Sequence, residues 1–484
     1  MTRTSFRRTP VAAALAALSL AMVVGDARGA GFALQEQNAS GLGHAYAGGA
    51  AAAEDVSTIF YNPAGLVRLQ SMQVVVAGNL ICPSTKFSDG GSQPAFGQPL
   101  GGTGGDAGSC AGVPNLYFGV PFTDKWSFGI GVNVPFGLKT EYDSNWLGRF
   151  QAVESKVETY NVNPVLSWEP TKDWTVGAGA SYQHLKATLT SQVNYAAAFA
   201  QGVQSAVAGG LIPAAAAPTL IGSAAGLESS ARVTGDDSGW GWNVGVLWQA
   251  TPQTRVGAAY RSHISYTVKG NVSFDNPTAV GALPPTLAPV GALILNGVNT
   301  NICASANTAD CSNDVTLKIR MPDTANVSIF HQFDNKWDLM ADLQYTGWSS
   351  IKELNIVRTS GTGSPVTLSN TPENFRNTWR VSGGANYRYS DKWTLRGGIA
   401  WDETPVNDTD RTPRLPDSDR FWLAFGAQYK FNDNWSIDAA YAYIWINNAS
   451  INQNAGSTAQ NGLINGNYKA NVNIVGLQVT YTAK

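Results

Sequence analysis

Asn432-Asp433-Asn434-Trp435-Ser436-Ile437-Asp438-Ala439-Ala440-Tyr441-Ala442-Tyr443-Ile444-Trp445 is the stretch whose reading decides the fold. A short polar turn ends on a Trp, and apolar or aromatic side chains then fall on every second position: Ile437, Ala439, Tyr441, Tyr443 and Trp445. A period of two is that of a β-strand with one face in an apolar medium. That face begins and ends on Trp. Ten residues at about 3.3 Å each, tilted near 45°, set those rings roughly 23 Å apart, close to the height of the outward apolar band of a membrane barrel.

Working outward, the same unit returns. Thr171-Lys172-Asp173-Trp174 leads into Val176, Ala178, Ala180 and Tyr182 on one face, and Asp334-Asn335-Lys336-Trp337 leads into Leu339, Ala341, Leu343 and Tyr345. Thr123-Asp124-Lys125-Trp126 and Ser390-Asp391-Lys392-Trp393 repeat the turn, and Thr251-Pro252-Gln253-Thr254 repeats it without the Trp. A propeller would repeat at a steady interval of about 40–45 residues, whereas these turns are unevenly spaced, as when short turns lie at one end and unequal loops at the other. A soluble sandwich would turn its apolar face inward. Six short turns imply seven long loops and about 14 strands. The expected fold is therefore all-β: a transmembrane antiparallel β-barrel.

Composition agrees. Only 14% of residues are charged, against about 25% in soluble proteins, and the net charge of −2 points to no nucleic-acid partner. Arg3, Arg7 and Arg8 precede an apolar run from Val11 to Val24, and Ala27-Arg28-Gly29 offers small residues for cleavage. This is the pattern of a signal peptide over residues 1–29, its apolar run shorter than the roughly 20 residues of a membrane helix. Residues 30–70 then read neither as strand nor as hairpin. Gly41-Leu42-Gly43-His44-Ala45-Tyr46-Ala47-Gly48-Gly49 and Ala50 to Ala53 are small enough for a compact plug inside the barrel of 71–484.

That segment resembles the N-terminal hatch of the outer-membrane long-chain fatty-acid and aromatic-hydrocarbon transporters (the FadL/TodX type). The resemblance rests on Ala30-Gly31-Phe32, Ser40-Gly41-Leu42-Gly43, Ala45-Tyr46 and Asn62-Pro63-Ala64. Further matches are Gly148-Arg149-Phe150, Tyr345-Thr346-Gly347-Trp348-Ser349, Trp401-Asp402-Glu403-Thr404-Pro405-Val406 and Pro416-Asp417-Ser418-Asp419-Arg420-Phe421-Trp422. The resemblance implies a Gram-negative outer membrane, 14 strands around a hatch, and passive uptake of hydrophobic molecules. It also implies that the hatch touches cargo, through Phe32 and Leu34 and near Asn62, Pro63 and Ala64, and that the third and fourth long loops form a landing groove.

The third strand runs into Pro135 and Gly137 just after Asn133. Proline cannot donate to a ladder, so it forces a bulge or a break; the resemblance implies a kink there that opens the wall sideways. Pro164 interrupts the neighbouring strand similarly. Inward charges such as Arg255, Arg261, Asp338, Asp342, Arg396 and Asp402 are expected to line a wet lumen. A fatty-acid carboxylate needs a basic partner, for which Lys352 and Arg358, above the strand end at Trp348, are the candidates. The Ala-rich region from Ser191 to Val233 favours short helices, and that from Asn276 to Asn313 is unusually apolar for a porin loop. Four cysteines in an exported chain suggest disulfides, with local pairing of Cys82 with Cys110 and Cys303 with Cys311 as the choice among three connectivities.

Catalytic chemistry is not indicated. Four histidines occur without a nucleophile elbow, the cysteine spacing lacks a zinc signature, and Gly101-Gly102-Thr103-Gly104-Gly105 fails the dinucleotide pattern. The expectation is a monomer in contact with outer-membrane lipid and lipopolysaccharide, without enzyme activity, metal or cofactor. Long-chain fatty acids are the first choice of cargo and toluene-like hydrocarbons the alternative; a general porin or surface adhesin is the competing class.

Overall fold

The structure, a computed structural model, describes residues 31–483, so the segment expected to be a signal peptide lies outside the described residues. Fourteen wall strands form one antiparallel sheet that closes on itself, because the first, β1 (Gln73–Asp89), pairs with the last, β14 (Ile464–Thr482). Between them run β2 (Ala111–Thr123), β3 (Trp126–Asn133 and Gly137–Glu141), β4 (Glu154–Thr171), β5 (Trp174–Asn194) and β6 (Glu228–Thr251). Then follow β7 (Thr254–Arg261 and Ile264–Phe274), β8 (Ser312–Met321 and Thr324–Gln332), β9 (Trp337–Thr346 and Glu353–Arg358) and β10 (Val366–Pro372 and Thr378–Arg388). β11 (Trp393–Asp402), β12 (Arg420–Lys430) and β13 (Trp435–Gln453) complete the wall. Closure leaves no free edge, which lipid would not tolerate.

The alternation read from the sequence is the inside–outside alternation of the wall. At the short-turn end Trp126 stacks on Trp168 and Trp174 on Trp248, and Trp337 meets Tyr387, Trp393 meets Tyr429 and Trp435 meets Tyr481. A second ring holds Tyr182 with Trp240, Trp242 with Tyr260, Tyr345 with Trp379 and Phe421 with Trp445. Exposed Val176, Val244, Leu343, Leu395, Phe425 and Leu477 face outward from the wall these rings bound. These are the two aromatic girdles of a membrane barrel and the band of lipid-facing residues that goes with them.

The lumen differs from the wet one expected. Residues from Gly31 to Leu69 fill it, built from the short helices α1 (Ala39–Leu42) and α2 (Thr58–Tyr61) and a 3-10 turn over Pro63–Arg68. The Asn62 side chain accepts from the N–H of Ala64 with Pro63 at the first helical position, and its amide donates to the carbonyls of Ala50 (2.7 Å) and Val246 (3.1 Å). Inward charges hold this hatch. Arg255 donates to Ala52 O (2.6 Å), Arg261 to Phe60 O (2.9 Å) and Arg380 to Ala45 O (2.8 Å), while Arg396 bridges Glu54 and Asp438. Inward glycines of the wall mark where hatch backbone comes closest: a Cβ on Gly177 would lie 2.4 Å from Ala64 N, and one on Gly398 2.3 Å from the His44 carbonyl.

Pro164 does not break its strand. β4 is continuous, and the side-chain amide of Asn163 donates to Ala180 O (2.8 Å) where the backbone ladder lapses. The third and fourth long loops carry helices α3 (Tyr195–Ala208), α4 (Ala217–Ser223) and α5 (Ala288–Cys303), which bury Phe199, Val203, Leu220, Leu295 and Val298 against one another and leave Leu211 and Leu293 exposed. Cys82 is bonded to Cys110 and Cys303 to Cys311.

Candidate functional site

Five wall strands are interrupted at the level where the apolar band gives way to the long loops, and the interior folds there into an apolar chamber. Trp348, in the break of β9, turns inward and meets Phe32 of the hatch edge-on at 4.9 Å; Phe136, in the break of β3, meets Phe32 at 6.1 Å and Trp348 at 6.2 Å. Phe32, with Phe136 and Trp348 packed against it, floors a chamber of about 70 Å³ walled by Leu138, Leu185, Val268, Ile319, Met321 and Phe375. A water takes about 30 Å³, so a lipid chain enters only if a lining group yields or the chain extends outward.

Outward there is room. A vestibule of about 650 Å³ lies under the long loops and shares Leu189, Leu354 and Arg414 with the chamber. Arg414, from the loop between β11 and β12, donates to Glu154 O (3.2 Å) and Ser155 Oγ (3.0 Å). Burial lowers its pKa to about 10, so it stays a cation at neutral pH. Glu373 also lines the chamber, from the connection between the two parts of β10; burial pushes it up to about 8, which leaves it largely protonated at pH 7. The chamber's outer end therefore carries net positive charge.

Of the two bases expected from the sequence, Arg358 is buried and lines the vestibule, with Nη1 donating to Ile302 O (3.3 Å). Lys352 is exposed and lines neither the chamber nor the vestibule. Its strand makes an extra turn between Trp348 and Glu353, and that turn rotates position 352 outward. Arg414 escaped the sequence reading because it sits in a polar loop without periodicity.

The kink in β3 separates two neighbouring strands. β2 and β3 pair from Thr123↔Trp126 to Leu116↔Val132 and no further. Beyond that, Ala111–Asn115 keep partners only in β1, and Gly137–Glu141 only in β4. The backbone groups withdrawn from the wall are taken up by the hatch: Leu34 N donates to Pro135 O (2.9 Å), Gly137 N to Phe32 O (3.0 Å) and the Gln37 side chain to Val134 O (2.9 Å). Asn115 and Tyr117 of β2 donate to the carbonyls of Glu36 (3.1 Å) and Gln37 (3.1 Å). Residues Phe32 to Gln37 thus lie across the inner mouth of the gap. A cavity of about 50 Å³, lined by Leu34, Pro63, Pro135 and Phe136 among others, sits behind it. Asn133 is fixed by the Asn161 side chain (3.0 Å). Asn62 and Ala64 are buried where the hatch sits on β4 to β6, the strands that follow the gap.

The profile of the outer membrane protein transport family (OMPP1/FadL/TodX) matches residues 20–483. The chain belongs to this family. It is 29% identical over 445 residues to the long-chain fatty acid transport protein of Escherichia coli K12, spanning 90% of this chain and 92% of that one. It is 31% identical over 469 residues to a putative outer membrane protein of Neisseria meningitidis serogroup B, spanning 95% of each. The crystal structure of a Pseudomonas aeruginosa FadL homologue matches with a TM-score of 0.78 at 26% identity, covering 93% of this chain and 99% of that one. The Pseudomonas putida toluene transporter TodX shares the fold at 17% identity (TM-score 0.63, 95% and 99% covered). The protein is an outer-membrane barrel of a Gram-negative family that carries hydrophobic compounds across that membrane without enzymatic chemistry.

Proposed function

We propose that the cargo is a long-chain fatty acid and that it leaves through the gap between β2 and β3. The observation that carries this reading is an apolar chamber whose outer end holds the Arg414 cation beside a largely protonated Glu373. An acyl chain gains about 0.8 kcal/mol per buried methylene, and a carboxylate at Arg414 and Arg358 adds a charge-assisted bond. Cargo lands on the apolar third and fourth loops, slides into the vestibule and pushes its tail into the chamber. Because the closed chamber is too small for the tail, entry displaces Phe32, and with it the hydrogen bonds that the hatch makes to Pro135 and Gly137. The way to the gap then opens.

A toluene-like cargo would use the same path without Arg414. The test is uptake of labelled oleate and of toluene by a Gram-negative host lacking its own transporter, with and without this protein. Oleate uptake that falls in Arg414→Met supports the proposal. Toluene uptake alone rejects fatty acids as cargo, and uptake of neither rejects the transport route.

A further inference from the structure

Four cations stand on the lipid-facing side of three strands of the wall, above the outer aromatic ring. Lys186 of β5, Lys269 of β7, and Lys318 and Arg320 of β8 are all exposed. None of them enters an ion pair among the described residues. Strand register sets them close together. Lys186 and Lys269 both lie opposite Asp236 of β6, Lys269 lies opposite Thr316, and Lys318 and Arg320 follow on the same face of β8. Arg320 adds His263, whose Nδ1 is 2.8 Å from its Nη2. Acids share this face: Asp236 lies opposite Lys186 and Lys269, Glu158 of β4 lies opposite Lys186 but is paired with Lys156 (2.9 Å), and Asp314 precedes Thr316 by two positions on β8, yet none of them forms an ion pair with the four cations.

Directly below, Trp240 is 71% and Trp242 51% exposed, leaning on Tyr182 and Tyr260. β6 has no ladder partner in β7 between Asp236 and Asn243, so the wall is dented beside these rings. Unpaired like charges at this spacing repel one another, and a multivalent anion held among them removes that cost. Indole faces one level lower are suited to hydrocarbon chains. The two features together describe a ligand with phosphates above and acyl chains below.

We propose that the outer face of β5 to β8 is a binding surface for lipopolysaccharide, with the phosphates of its acylated disaccharide head on Lys186, Lys269, Lys318 and Arg320 and its acyl chains along Trp240 and Trp242. The surface is separate from the transport chamber, which lies on the inner side of the wall.

The experiment is native mass spectrometry of the detergent-solubilised full-length barrel titrated with hexa-acylated lipid A, its dephosphorylated form, or phosphatidylglycerol. The wild type should retain lipid A at least ten-fold better than either of the others. The variant K186Q/K269Q/K318Q/R320Q should retain it no better than the dephosphorylated form. K86Q/K469Q, which removes the exposed Lys86 and Lys469 from the β1–β14 face, should behave as wild type. If four changes together impair assembly, judged by heat-dependent gel mobility, the pairs K186Q/K269Q and K318Q/R320Q are titrated separately, each with an expected partial loss. Equal retention of lipid A by the variants overturns the proposal, as does equal retention of phosphatidylglycerol, which would mark plain attraction to an anionic surface.

Discussion

Gly257→Ala puts a methyl group where the hatch presses hardest on the wall. A Cβ there would lie 1.9 Å from Ala50 O, 2.5 Å from Ala50 C and 3.0 Å from Ala51 N. All three are backbone atoms, so no rotamer relieves the clash, and restoring a contact of about 3.2 Å displaces the hatch by roughly 1.3 Å. That movement stretches three bonds between hatch and wall: Ala50 N to Ser328 Oγ (2.9 Å), Asn62 Nδ2 to Val246 O (3.1 Å) and Arg255 Nη2 to Ala52 O (2.6 Å). At about 1 kcal/mol for each neutral bond and about 1.5–3 for the guanidinium, docking weakens by about 3–5 kcal/mol. The undocked population then rises about 100- to 1000-fold or more. Hydrogen exchange over His44–Asn62 reads this directly. Gly397→Ala is the matched control, because a Cβ at Gly397 meets nothing within 4 Å. Unchanged protection in Gly257→Ala, or equal loss in Gly397→Ala, would refute the account of how the hatch is seated.

Three further outcomes follow from the geometry. Burial raises the Glu36 carboxyl from 4.5 to about 7 in the docked hatch; docking is therefore strongest below pH 4.5 and loses about 3 kcal/mol as pH rises through 7. Hydrogen exchange across that range should lose its pH slope in Glu36→Gln. Phe32→Ala removes a ring packed on Trp348 and Phe136 at the chamber floor; a truncation of this kind costs about 3 kcal/mol in a packed core, and fluorescence titration should find oleate binding weakened at least about ten-fold. Arg414→Met should weaken oleate by about 10- to 100-fold, the value of a charge-assisted bond, while the methyl ester of oleate binds both proteins alike.

The wall was legible because lipid imposes a simple rule, apolar out and any residue in, and a period of two carries that rule through every strand from Trp174 to Trp445. Turn chemistry supplied the strand count, since Asp334 and Asn432 cap the backbone N–H groups of Trp337 and Trp435 locally. What faces inward follows no such rule. Arg255, Arg261 and Arg396 suit a water-filled lumen equally well, and only the fold shows that a segment some 200 to 350 residues earlier takes their hydrogen bonds. Pro135 and Pro164 look alike in sequence. Their fates differ because hatch backbone compensates the first, whereas the Asn163 side chain bridges the lapse at the second and keeps β4 straight. Proximity to Trp348 in sequence does not carry Lys352 into the interior, because a 3-10 turn over Trp348–Ser350 breaks the strand alternation just before it and leaves it exposed.

The exit route is tested most directly by closing the gap. Asn115 and Asn133 are buried and stand one residue beyond the last β2–β3 pair, Leu116↔Val132. A host expressing Asn115→Cys/Asn133→Cys, with the new cross-link verified by peptide mass spectrometry and the barrel's gel mobility unchanged, is assayed for labelled oleate uptake. The account predicts uptake at background level with oleate binding retained. Uptake at the wild-type rate through the cross-linked barrel would contradict it.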